Sequence, residues 1–71
     1  MMKAVLNDYE VKDIAKMIRE WTDNTQESFA PTVNRSYASI RKIEIGERNL
    51  YLHTLLEWAK IHKIKITMEK E

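Results

Sequence analysis

Cysteine is absent from these 71 residues, so neither a disulfide nor a thiolate metal site can support the fold. That usage suits a reducing compartment. No run of about 18 or more apolar residues occurs, which excludes a membrane-spanning helix. The opening MMKAVLNDYE holds one Lys and a very short apolar run, too short for a signal peptide. A cytoplasmic location is the expectation. There is no Gly-rich phosphate loop and no nucleophile triad, so an enzyme is not expected. His53 and His62 lie far apart in the chain with no carboxylate or Cys arranged around them, which argues against metal, cofactor and catalysis alike. The four Met residues are scattered and read as gap filling. Charge of one sign is also missing: 12 basic against 11 acidic residues leave a net charge of +1. Nucleic-acid binders are commonly strongly basic, because phosphate neutralisation dominates their affinity. Any nucleic-acid reading therefore needs the positive charge gathered on one face.

A chain of this length makes one domain (1–71) with a thin core, and such domains are often stabilised by pairing. Residues 1–6 form an apolar lead-in. Asn7 reads as an N-cap, Glu10 completes a capping-box pattern, and Leu6 with Val11 suggests a hydrophobic staple. Val11, Ile14, Ala15, Ile18 and Trp21 then recur at helical spacing, which predicts a first helix over about 8–22. Asp23 and Asn24 supply turn chemistry that ends it.

Thr25 caps a second helix whose Phe29, Ala30 and Val33 point inward. Pro31, the single proline, cannot donate to the Glu27 carbonyl, and its ring crowds the preceding turn. An interior proline costs about 3 kcal/mol in a regular helix. The second helix is therefore expected to be short, with a bent or 3₁₀ end. Asn34 tolerates positive φ and suits a tight turn. Ser36 caps a third helix running to about residue 45, with Ile40 and Ile43 buried. Gly46, the single glycine, fits its left-handed stop.

Residues 50–62 carry a fourth helical stripe of Leu52, Leu55, Leu56, Ala59 and Trp58. The core spans about 8–62 and a tail spans 63–71. Within the tail, residues 63–69 alternate apolar and polar with period two, which predicts a strand. A lone strand needs a partner. Two are available: residues 3–6 of the same chain, or the equivalent strand of a second copy across a two-fold.

The stretch 25–49, TQESFAPTVNRSYASIRKIEIGERN, carries a specific pattern in Gln26-Glu27, Phe29-Ala30, Val33, Ser36, Ile40, Ile43-Glu44 and Gly46. On these residues it resembles, without a gap, the helix-turn-helix of the Cro/CI-type phage repressors. The likeness extends with less force over about 11–64. It implies an all-α, lambda-repressor-like helix-turn-helix bundle of about four helices, here with a strand-like tail. The family uses its second motif helix to read the DNA major groove. Carried over, Ser36, Tyr37, Ala38, Ser39, Arg41 and Lys42 form the recognition helix face. Arg41 can read guanine through two hydrogen bonds and Ala38 can meet a thymine methyl. Gln26, at a helix N-terminus, is implied to contact a backbone phosphate. Arg35, Arg48 and Asn49 flank the face and can add phosphate contacts, which orient rather than specify. Family members also pair an Arg of the first helix with a Glu near the end of the third, and Arg19 and Glu44 stand at those positions as a structural ion pair.

Between residues 25 and 49, Arg35, Arg41, Lys42 and Arg48 stand against Glu27, Glu44 and Glu47. Once Glu44 is neutralised by Arg19, the positive footprint is modest, and useful affinity for double-stranded operator DNA is expected of a homodimer. The leading expectation is a Cro-like transcriptional repressor. The alternative is a small phage-type modulator that binds a partner repressor protein through the same face. An antitoxin is a third reading, lowered by the lack of a toxin-wrapping tail.

Overall fold

The computed structural model describes residues 3–71. Met1 and Met2, part of the apolar lead-in, lie outside the described residues. The described chain is all-helical. After a 3₁₀ turn at Leu6–Asp8 come α1 (Val11–Trp21), α2 (Gln26–Phe29), a 3₁₀ extension (Ala30–Val33), α3 (Tyr37–Glu44) and α4 (Leu52–Ile61).

The start of α1 differs from the sequence expectation. Asn7 lies inside the 3₁₀ turn, and the N-cap is Glu10. The Glu10 side chain meets the Asp13 backbone N–H, while the Glu10 N–H donates to Asp13 Oδ2 at 3.2 Å. Both Asn7 and Glu10 have a partner three residues on, so the sequence allows two boxes. The later one forms, and Val11 is left exposed instead of stapled. Ala15 and Ile18 carry the buried stripe, with Ile14 packed against them.

Thr25 and Ser28 close the second capping box: the Ser28 N–H donates to Thr25 Oγ1 (3.1 Å) and the Thr25 N–H to Ser28 Oγ (2.9 Å). Pro31 acts as expected. α2 lasts four residues, then the chain tightens to 3₁₀ through Ala30–Val33 with Pro31 in its first turn, where a missing N–H matters least.

Three helical segments stop by one device. Asn34, Gly46 and Lys63 take left-handed φ values of 57°, 85° and 57°. In each case the following residue donates back to the last turn: Arg35 N to Ala30 O (2.9 Å), Glu47 N to Lys42 O (2.9 Å), and Ile64 N to Ala59 O (2.8 Å). This geometry satisfies carbonyls that a helix end would otherwise leave open. A Cβ on Gly46 would sit 3.3 Å from Lys12 Cδ as well as straining the backbone.

The core joins Ala15, Ile18, Phe29, Ala30, Val33, Ile40, Ile43, Leu50, Leu55, Trp58 and Ala59. Phe29 is its centre: Trp58 meets it edge-on at 5.5 Å, and His62 stacks on it at 5.1 Å. Thr32 Oγ1 donates to the Phe29 carbonyl, so its contact with His62 Nε2 (2.9 Å) has the imidazole N–H donating. His62 thereby ties the end of α4 to the 3₁₀ extension.

The stripe expected on α4 is corrected. Leu52 and Leu56 face outward, 70% and 43% exposed, while Leu55, Trp58 and Ala59 are buried and Leu50 enters the core from the preceding loop. Four leucines crowd positions 50–56, and the large Trp58 ring decides which side turns inward. The tail is corrected too. Among the described residues no strand forms, and residues 3–6 make no ladder with the tail; the Val5 and Leu6 carbonyls instead accept from Asp8 N and Tyr9 N in the 3₁₀ turn. Ile64 and Ile66 pack against the core with Lys63, Lys65 and Thr67 exposed. Alternation thus reports one buried side of an extended segment. A ladder requires a second strand.

Candidate nucleic-acid interface

Ser36 starts α3 by accepting the Ser39 N–H at 3.1 Å. The helical period then sorts the eight residues. Ser39, Ile40 and Ile43 are buried and Glu44 is half-buried. Tyr37, Ala38, Arg41 and Lys42 are exposed, one turn apart along a single outer face. Ile45, just past the helix and 49% exposed, follows Arg41 at a spacing of four and extends that face with an apolar side chain. The spacing alone places it there, beside Tyr37 and Arg41, yet the reading of the sequence did not include it.

The inner side is fixed by a polar lock. Arg19 Nε donates to Glu44 Oε2 at 2.8 Å and Arg19 Nη2 to Glu44 Oε1 at 2.9 Å, a bidentate pair. The two side chains are 14% and 5% exposed. Arg19 Nη1 also donates to the Asn24 carbonyl (3.0 Å), and Gln26 Nε2 donates to Glu44 Oε1 (3.1 Å). Hydrogen bonding to Glu44 pushes the Arg19 pKa up, outweighing the opposing effect of burial. The lock joins α1, the α1–α2 turn, α2 and α3. It holds the outer face in one orientation relative to the N-terminus of α2. Gln26 therefore sits beside that face with its amide Nε2 directed at Glu44.

Ser39 lies behind the face. It is 6% exposed, and its hydroxyl accepts from Arg35 Nη1 (3.4 Å) and Arg48 Nη1 (3.1 Å). Arg35 also lies over the Trp58 ring, 5.8 Å from its centre. One buried oxygen thus draws together two guanidiniums, one from the turn before α3 and one from the loop after it. Neither is in an ion pair among the described residues. Nothing in the sequence alone shows that convergence, because the three residues meet only once the turn and the loop are folded. Asn49 is exposed on the same loop as Arg48. The site residues so fall into three groups. Tyr37, Ala38, Arg41 and Lys42 form the outer face, Arg35, Arg48 and Asn49 flank it, and Ser39, Gln26, Arg19 and Glu44 support it. Ser36 caps the helix.

Comparison of the chain with protein-family models, with curated proteins and with solved structures finds no match. No helix among the described residues is long and apolar enough to cross a membrane.

Proposed function

We propose that the chain is a sequence-reading DNA-binding regulator that lays α3 in the major groove, as a Cro-like repressor would. The turn at Asn34 between the 3₁₀ extension and α3 then serves as the turn of a helix-turn-helix. One observation carries the reading: α3 presents a continuous outer face of Tyr37, Ala38, Arg41 and Lys42 while its inner side is locked by the Arg19–Glu44 pair. A groove reader needs that combination, because base-edge hydrogen bonds demand a helix held in one register. Arg41 reads a base, Lys42 and Tyr37 contact a base or phosphate, and the Arg35–Arg48 pair neutralises backbone charge on either side. A cytoplasmic setting goes with this role.

A second reading is favoured by the composition of the face. Tyr37 and Ile45 are 46% and 49% exposed. An aromatic and an aliphatic side chain beside Arg41 make a fair protein-binding surface. Under that reading the partner is a repressor protein and the chain modulates repression.

A salt-titrated gel shift separates the two. The DNA reading expects duplex binding that weakens steeply with salt, as counterion release requires. Absence of any duplex binding at low salt, with co-elution of a repressor, sinks it in favour of the second.

A further inference from the structure

A groove of about 390 Å³ runs between α4 and the tail. At its corner the chain turns through Lys63, whose N–H donates to the Lys60 carbonyl (3.1 Å), and the Ile64 N–H then donates to the Ala59 carbonyl (2.8 Å). Ile64 and Ile66 pack against the core, so the tail is held beside the helix as a second wall. The floor is apolar: Leu56 and Ala59 come from α4, Ile64 and Ile66 from the tail. Leu56 is 43% exposed, and Leu52, one turn before it at 70%, carries the apolar strip out beyond the groove.

The rim is basic. Lys60, Lys63 and Lys65 complete the lining, and no carboxylate joins them. All three are exposed, and none is in an ion pair among the described residues. Acidic and basic residues nearly cancel over the whole chain, so unopposed lysines gathered on one groove are a local excess. Glu57 and Glu69, the nearest acids in sequence, pair with none of them. We propose that this groove docks an acidic amphipathic segment of another protein. The segment's apolar side chains cover Leu52, Leu56, Ile64 and Ile66, and its carboxylates face the lysines.

The strip from Leu52 to Lys60 follows α4 for about 12 Å, roughly two helical turns. A short helix with apolar side chains three and four residues apart fits that length. Burial of those side chains supplies the affinity. Exposed ion pairs add little each. The lysines therefore act by selecting the sign of the partner and by setting its polarity, acidic end toward Lys63 and apolar end toward Leu52. A second copy of this chain is the poorer occupant, because groove against groove brings both sets of lysines together. Nucleic acid answers the lysines but leaves Leu56, Ile64 and Ile66 uncovered. No residue of α3 lines the groove, so it can be filled whatever α3 meets.

Titration of the isotope-labelled full chain tests it. The probe is a fluorescent helical peptide of paired leucines alternating with paired glutamates, and its control carries lysine for glutamate. The glutamate peptide is expected to bind in anisotropy, with amide shifts clustered at Leu56, Lys60, Lys63, Ile64 and Ile66, while the control does not bind. Lys60→Glu with Lys65→Glu should weaken the glutamate peptide by roughly tenfold or more and admit the lysine peptide. Leu56→Ser should weaken it roughly tenfold as well. All of these side chains are exposed, so the helical fold is unaffected, as circular dichroism checks. Absence of binding at the peptide's solubility limit overturns the proposal, and so does equal binding of both peptides. Shifts gathered on Arg41 and Lys42 instead of the groove also overturn it. So does a dimer that Leu56→Ser dissociates, which puts a second copy in the groove. Groove shifts that duplex DNA or anionic vesicles produce and the peptide does not overturn it too.

Discussion

Arg19 on α1 grips Glu44 at the end of α3 through two hydrogen bonds of 2.8 and 2.9 Å, across a sequence separation of 25 residues. The carboxylate is nearly out of solvent and takes a third hydrogen bond from Gln26. Removing the cation alone strands a buried charge. Arg19→Ala should therefore lower the unfolding free energy by about 3–5 kcal/mol in urea melts. Replacing both partners by apolar residues, Arg19→Met with Glu44→Leu, should cost clearly less than either single change. The raised pKa of Arg19 stabilises the fold at all pH below the ordinary arginine range, and is lost only as pH climbs through the raised value. Over neutral pH this arginine adds no slope to stability.

The left-handed helix stops rank themselves by residue type. Asn34→Ala should destabilise by about 1–2 kcal/mol, while Asn34→Gly stays near neutral. Lys63 has the same conformation with a side chain poorly suited to it. Lys63→Gly should raise stability by about 0.5–1 kcal/mol, read as a higher melting temperature.

The two faces of α4 should respond oppositely. Leu55→Ala removes a side chain 2% exposed and should cost about 2–5 kcal/mol. Leu52→Ser, at 70% exposure, should stay within about 0.5 kcal/mol of wild type. Equal losses in thermal melts would return Leu52 to the core stripe.

Under the proposed DNA reading, Arg41 and Arg48 separate base reading from positioning. Arg41→Ala should cost about 1–3 kcal/mol against the preferred site and relax discrimination there. Arg48→Ala should weaken binding evenly across duplexes and reduce the salt slope by about 1. Ser39→Ala leaves both guanidiniums without their common acceptor. It should weaken duplex binding without changing sequence preference, measured by anisotropy on matched and mismatched sites.

Local chemistry made part of this molecule legible. Thr25, Ser36, Asn34 and Gly46 act through partners within a few residues, so their types announce their places. Ile40 and Ile43 follow from helical spacing, and Pro31 forces the 3₁₀ tightening. What escaped was decided at a distance or by competition. Two overlapping capping boxes let Glu10 displace Asn7. Leu52 and Leu56 compete with Leu55, Trp58 and Ala59 for one side of α4, and the fit of Trp58 against Phe29 settles it. The tail's alternation is visible, but a ladder depends on a second strand that the pattern cannot name. Ser39 looks like part of a polar outer face until Arg35 and Arg48 arrive from either side.

The division of α3 carries a consequence for how such a chain can change. Every residue that fixes the helix in place (Ser39, Ile40, Ile43, Glu44) lies on one side, and every residue free to meet a partner lies on the other. The outward set can drift by substitution while folding stays untouched. If that side is the recognition face proposed above, new specificities lie a few mutations apart, and a transplanted set of outer residues should retarget the scaffold without redesigning it.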